Sequence, residues 1–128
     1  MKKRSERILR SERGFTLIEL GVVLAIIAIL TVIAYPTYNN IKKRAYIAEA
    51  KAIMQEIRVE VWAEFLESGK FADIASDAYD GEYWAFTGET KGSGNDATYT
   101  VTATPKAGNP AETQTLTFDT SGKIVQPN

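Results

Sequence analysis

The sequence predicts an α+β fold: a long N-terminal α-helix, membrane-spanning in its first half, packs through its second half on a small antiparallel β-meander of three to four strands. Three observations carry this. Phe15–Tyr35 is a run of 21 residues with a single charge, Glu19. Ile47, Ala50, Met54, Ile57, Val61 and Phe65 then recur at i+3 or i+4, the spacing of one apolar helical stripe. Downstream, apolar and polar residues alternate with period two, the pattern of a sheet with one buried face. A length of 128 residues suits one small domain with no second core.

Charge is distributed unevenly along the chain. Lys2, Lys3, Arg4, Arg7, Arg10 and Arg13 stand against Glu6 and Glu12, so the first 14 residues carry a net charge of +4. The whole chain is at −1, which leaves −5 for the rest. That balance disfavours direct nucleic-acid binding. About 20 apolar residues cross a hydrocarbon core of roughly 30 Å as a helix. The basic block before the run outweighs Lys42, Lys43 and Arg44 after it, which orients the N-terminus to the cytoplasm and residues 36–128 to the other side. Glu19 is the anomaly, since a carboxylate inside a bilayer costs on the order of 2.5–3.5 kcal/mol. It either reaches for the headgroups or waits for a positive partner. An ordinary cleaved secretory signal fits poorly, because the apolar run is too long and holds a carboxylate.

Beyond the run, Pro36 lacks an N–H and disfavours helical geometry at Tyr35, so a kink or local melting is expected there. The helical pattern then resumes to about Glu67, and Ser68-Gly69 supplies its stop signal. A helix from Phe15 to Glu67 would be roughly 80 Å long, so its first half has to be covered by lipid or by copies of itself. Glu56, Glu60, Glu64 and Glu67 read as a solvated or partner-facing ridge rather than a metal site. Residues 70–81 read as a loop. Its Asp73, Asp77 and Asp80, with Glu82, lack the spacing of a calcium loop.

Strands are expected at Tyr83–Thr87, Ala97–Thr104 and Thr113–Thr120, with a short one at Lys123–Gln126. Gly88–Asp96, Pro105–Glu112 and Ser121-Gly122 are the turn signals between them, with Asp119 assigned to turn chemistry.

Arg13-Gly14-Phe15-Thr16-Leu17-Ile18-Glu19-Leu20, preceded by a basic leader and followed by a long apolar helix, resembles the class III signal of type IV pilins and their relatives. Pro36 fits the same pattern. The resemblance covers about residues 1–50, and the C-terminal half matches only in general layout. It implies a leader, residues 1–14, that a prepilin peptidase removes after Gly14, and N-methylation of the new N-terminal Phe15. Residues 15–35 become the transmembrane and fibre-core helix. Residues 36–128 become an amphipathic helix with a β-sheet head, giving a lollipop shape. Many pilins carry a Gly eight residues before the Pro, where this chain has Ala28. Many also close the C-terminal segment with a disulfide, which a chain without Cys cannot form.

The function implied is a structural subunit of a type IV pilus, assembled helically from the inner membrane into a surface filament for motility, adhesion or DNA uptake. The alternatives are the major pseudopilin of a type II secretion system and a minor pilin. The expected partners are further copies of the chain, the prepilin peptidase, an inner-membrane assembly platform, a motor ATPase and membrane lipid before assembly. Cleavage would leave an α-amino cation on Phe15, about 6 Å along the helix axis from Glu19. The Phe15 amine of one copy is then the natural partner of Glu19 in another. No catalytic, cofactor or metal role is read from the residues. Without His or Cys the common zinc sites and the Ser-His and Cys-His pairs are excluded.

Overall fold

The structure is a computed structural model, and it describes residues 14–74 and 78–125. The leader residues 1–13, Asp77 and the Gln126 end of the expected last strand lie outside the described residues. The element order is α1 (Leu17–Ser68), β1 (Trp84–Lys91), a 3-10 turn (Gly94–Asp96), β2 (Thr98–Pro105), β3 (Gln114–Asp119) and β4 (Ile124–Val125). The chain divides into two compact units at Thr37/Tyr38.

In the first unit the side chains of the apolar run are exposed, including Leu24, Ile27, Leu30 and Ile33. By length and composition this stretch is able to cross a membrane. Its hydroxyls turn back on the helix, Thr31 donating to the Ile27 carbonyl at 2.7 Å and Thr37 to the Ile33 carbonyl at 3.3 Å. These two hydroxyls are therefore satisfied within the helix and need no acceptor in hydrocarbon. Pro36 lies inside α1, and the helix is assigned through it without a break.

The second unit is built on a four-stranded sheet of order β1-β2-β3-β4 with every neighbouring pair antiparallel. Ala50, Met54, Ile57 and Val61 of α1 are buried with Trp84, Phe86, Tyr99, Val101, Ala103, Ala111 and Phe118 in one core. The register explains the alternation. Thr90, Tyr99, Phe118 and Ile124 form one inward row, while Thr87, Thr102 and Thr115 form an outward one. On the outward face Thr100 and Thr117 also join hydroxyls across the strands at 2.9 Å.

β1 departs from the sequence expectation. A turn was expected from Gly88, yet the strand continues to Lys91, pairing Glu89, Thr90 and Lys91 with Thr100, Tyr99 and Thr98. Gly88 is a strand residue for a packing reason: a methyl group there would overlap the hydroxyl of the fully buried Tyr99. The hairpin turns later, where Gly92 and Gly94 have positive φ.

The acidic loop is not merely solvated. Asp80 accepts the Phe86 N–H at 2.9 Å and pairs with Lys106 at 3.2 Å, and Lys106 also donates to the Gly81 carbonyl. Asp80 thereby ties the approach to β1 to the end of β2. The other end of the sheet is held by α1. Arg58 donates to the Gly122 carbonyl at 2.7 Å and the Trp62 indole to the Thr120 carbonyl at 3.3 Å. Asp119 closes that turn by accepting the Ser121 and Lys123 N–H groups. Gly122 has φ 77°, and a Cβ there would meet Trp62 at 2.8 Å.

Two outcomes follow from these anchors. Gly122→Ala should destabilise the second unit by about 1–3 kcal/mol through backbone strain and displacement of Trp62. Urea unfolding of the detergent-solubilised chain, followed by the fluorescence of Trp62 and Trp84, measures this. Acid should also weaken the unit. The Phe86 N–H, with Lys106 beside it, holds the Asp80 carboxyl below its ordinary 3.8. A carboxyl depressed in the folded state contributes stability above its unfolded value and loses it as pH falls through the folded one. The wild-type unfolding midpoint should therefore drop as pH falls below about 3.8. Asp80→Asn should shallow that slope without removing it, because Glu112 and Asp119 are depressed too.

Candidate functional site at the start of the helix

Three of the residues singled out by the sequence meet at the N-terminal end of α1. Gly14, Phe15, Thr16 and Glu19 line a shallow depression of about 330 Å³. Phe15 is 89% exposed and stands just before the helix begins. Pro36, the fourth residue singled out, lies about five turns further along and takes no part in this cluster.

The local chemistry at this end is a reciprocal cap. The Glu19 carboxylate accepts the Thr16 N–H through Oε2 at 3.0 Å, and the Thr16 hydroxyl accepts the Glu19 N–H at 3.1 Å. The Thr16 carbonyl accepts the Leu20 N–H at 3.1 Å, the first turn of the helix. Thr-x-x-Glu ahead of an apolar run is the capping-box signature. Thr16 and Glu19 carry it in the sequence, where the cost of a carboxylate in the membrane masks its place in the first turn. The box answers part of that cost. A helix N-terminus presents amide N–H groups without internal acceptors and the positive end of the dipole, and a carboxylate there satisfies both. Oε2 is used in this bond, while Oε1 has no hydrogen-bond partner among the described residues.

The basic cluster after the apolar run separates into individual roles. Lys43 pairs with Glu112 at 2.9 Å, and Lys42 stands 5.8 Å from the centre of the Tyr46 ring. In the acidic ridge Glu60 accepts the Tyr79 hydroxyl, and no comparable bond involves Glu49 or Glu56 among the described residues. Thr16→Val removes the hydroxyl acceptor at nearly constant volume. It should weaken the first turn by about 1 kcal/mol, read as roughly fivefold faster amide hydrogen exchange at Glu19 in detergent micelles.

Comparison with known proteins bears on the same stretch. Residues 9–35 match the family model described as the prokaryotic N-terminal methylation motif. A fimbrial protein of Moraxella nonliquefaciens is 37% identical over 73 residues, 57% of this chain and 47% of the relative. A type IV major fimbrial protein of Dichelobacter nodosus is 39% identical over 70 residues, 55% of this chain and 43% of the relative. A type IV major pilin of Neisseria gonorrhoeae is 37% identical over 67 residues, 52% of this chain and 41% of the relative. In each case the matched stretch spans less than half the length of the relative. No solved structure matches the chain. A methylation-motif helix, a capping Glu19 at its start and relatives named as pilins agree: over about half of its length the chain is similar to proteins named as type IV pilins and fimbrial proteins.

Proposed function

We propose that this chain is the repeating structural subunit of a type IV pilus. The observation that carries the reading is an exposed apolar helix whose only charged residue between Phe15 and Tyr35 sits in its first turn, beside the methylation-motif junction. An apolar surface of that size needs lipid or identical neighbours to cover it. Head-to-tail contacts that do not close into a ring make a filament. The chain would first sit in the inner membrane as a single-pass precursor and then move into an extracellular fibre. Its partners would be further copies of itself, a prepilin peptidase, an assembly platform and a motor ATPase.

In this reading the peptidase cuts between Gly14 and Phe15, and Phe15 is then methylated on its amine. The cut leaves the cap whole, because the Thr16 N–H and hydroxyl and the Glu19 carboxylate all lie in the product. Glu19 enters the assembly already held by one oxygen, with the other directed to the Phe15 amine of a neighbour. A desolvated pair of this kind contributes little net stability, but an unpaired buried charge is expensive. The pair therefore acts as a check on register, passing a subunit only when amine and carboxylate meet.

The intact mass of the protein in fibres sheared from cells tests the reading. The expected species begins at Phe15 and is one methylene heavier than the bare sequence. A processed species confined to membranes would move the assignment to a pseudopilin or a minor pilin. A chain beginning at Tyr35, or retaining Met1, would overturn it.

A further inference from the structure

The sheet of the second unit is open, and its outer strands, β1 and β4, each leave backbone groups facing out. On β1 two bonds set the parity. The Trp84 carbonyl accepts the Gly81 N–H at 3.0 Å and the Phe86 N–H donates to Asp80 at 2.9 Å, both on the side away from β2. Hydrogen-bonding direction repeats every second residue along a strand, so the N–H and C=O groups of Gly88 and Thr90 point out as well. Asp80 and Gly81 cover the first half of that edge, and no described residue covers the second half. On β4 the Asp119 N–H donates to the Lys123 carbonyl at 3.0 Å, so Lys123 and Val125 turn to β3 and the N–H and C=O of Ile124 face out. Ile124 and Val125 are 39% and 38% exposed. Lys123 and Glu89 are exposed too, and neither belongs to the two ion pairs among the described residues, Lys43–Glu112 and Lys106–Asp80.

We infer that β4 of one copy adds to β1 of the next in antiparallel register, with Ile124 opposite Gly88 and Lys123 opposite Glu89. Hydrogen bonding and charge fix the register. Ile124 has to face a β1 residue whose N–H and C=O both point out, which leaves Gly88 and Thr90, since Asp80 already holds Phe86. Opposite Thr90, Ile124 would set Lys123 against Lys91, like charges on neighbouring strands. Opposite Gly88 it sets Lys123 against Glu89 and Val125 against Thr87, while the Gly88 and Ile124 backbones exchange both their bonds. The faces agree as well. Ile124 pairs with buried Phe118 and Gly88 with buried Val101, so both lie on the face that carries the core. Gly88 brings no side chain there, and with Phe65 and Phe71 it lines a groove of about 840 Å³ that leaves room for Ile124. An antiparallel β4–β1 contact also keeps β1 of every copy pointing the same way, which suits copies that share one membrane. It joins two different surfaces and so repeats from copy to copy without closing on itself. The contact is short, and in a fibre it acts between copies already held at high local concentration.

The inference rests on the pilus-subunit reading and adds which strand edges meet and in what register. Disulfide trapping tests it, in a chain that has no cysteine of its own. In Glu89→Cys/Lys123→Cys the two introduced thiols stand at opposite edges of one sheet, three strand spacings or roughly 14 Å apart, too far for a bond within one copy. Across the inferred contact they form a non-hydrogen-bonded pair with Cα atoms about 4.5 Å apart, which a disulfide spans. Fibres sheared from cells and oxidised should run on a non-reducing gel as a ladder of dimers, trimers and larger species that collapses to monomer on reduction. Thr87→Cys/Val125→Cys, the pair flanking Gly88 and Ile124 on the other side, should give the same ladder and carries the test if the first variant makes no fibres. Lys91→Cys/Lys123→Cys, two residues out of register, should give about tenfold less cross-linked product. Variant fibres that stay monomeric on oxidation, or a product confined to dimers, overturn the edge contact. Cross-linking of Glu89→Cys alone overturns it too, because it places β1 against β1. Wild-type chain absent from the sheared fraction overturns instead the pilus-subunit reading beneath it.

Discussion

The packing of Ala50, Met54, Ile57 and Val61 against the inner face of the sheet is the contact on which the second unit depends. These four residues cover the inward rows of β1, β2 and β3, where Trp84, Phe86, Tyr99, Val101 and Phe118 are buried. Full burial of a side chain of the Met, Ile or Phe class contributes about 1.5–3 kcal/mol, so this one layer supplies most of the favourable term. A sheet of four short strands has no second layer to fall back on. Every other feature of the unit keeps that layer in register. Asp80 and Lys106 secure one end, Arg58 and Trp62 secure the other, and Gly88 leaves room for Tyr99.

The sequence makes the periodic parts of this structure legible and hides the parts that depend on contacts between distant residues. The i+3/i+4 stripe locates the buried face of α1, and the Thr-rich alternation locates β2 and β3 to within a residue or two. Gly88 is the instructive failure. Glycine beside Glu89 and Lys91 reads as a turn because its lack of a side chain is seen as conformational freedom. In the fold that lack serves to admit the hydroxyl of Tyr99, which lies eleven residues away and is invisible to any local window. Asp80 is a similar case, since its partner Lys106 is separated from it by two strands. Thr16 differs from both. The capping box is entirely local, and only the cost of Glu19 against lipid obscures it.

A chain without cysteine has to fix its C-terminal segment by other means. The turn after β3 lies over α1, where the Arg58 guanidinium and the Trp62 indole donate to two of its carbonyls. Each such bond is worth about 1–2 kcal/mol net, more when the donor is charged. Together they approach the lower range of what a disulfide contributes. The comparison has a limit in kind. A disulfide also constrains the unfolded chain, whereas these bonds act only in the folded state and are lost with it. The C-terminal turn is therefore as stable as the layer beneath it and no more so.

Electrostatics enters α1 twice, in two different media, and the two cases act differently. Glu19 lies in an apolar stretch, and the pairing proposed for it with a neighbour's amine would form where neither water nor salt reaches. A charge there is costly alone and nearly neutral when matched, so it discriminates sharply and is insensitive to ionic strength. Arg44, Lys51, Glu49 and Glu56 lie on an exposed face, where an ion pair contributes little and is screened over about 8 Å at physiological salt. The two therefore answer differently to salt: the exposed charges are screened by it, whereas a charge in the apolar stretch is not.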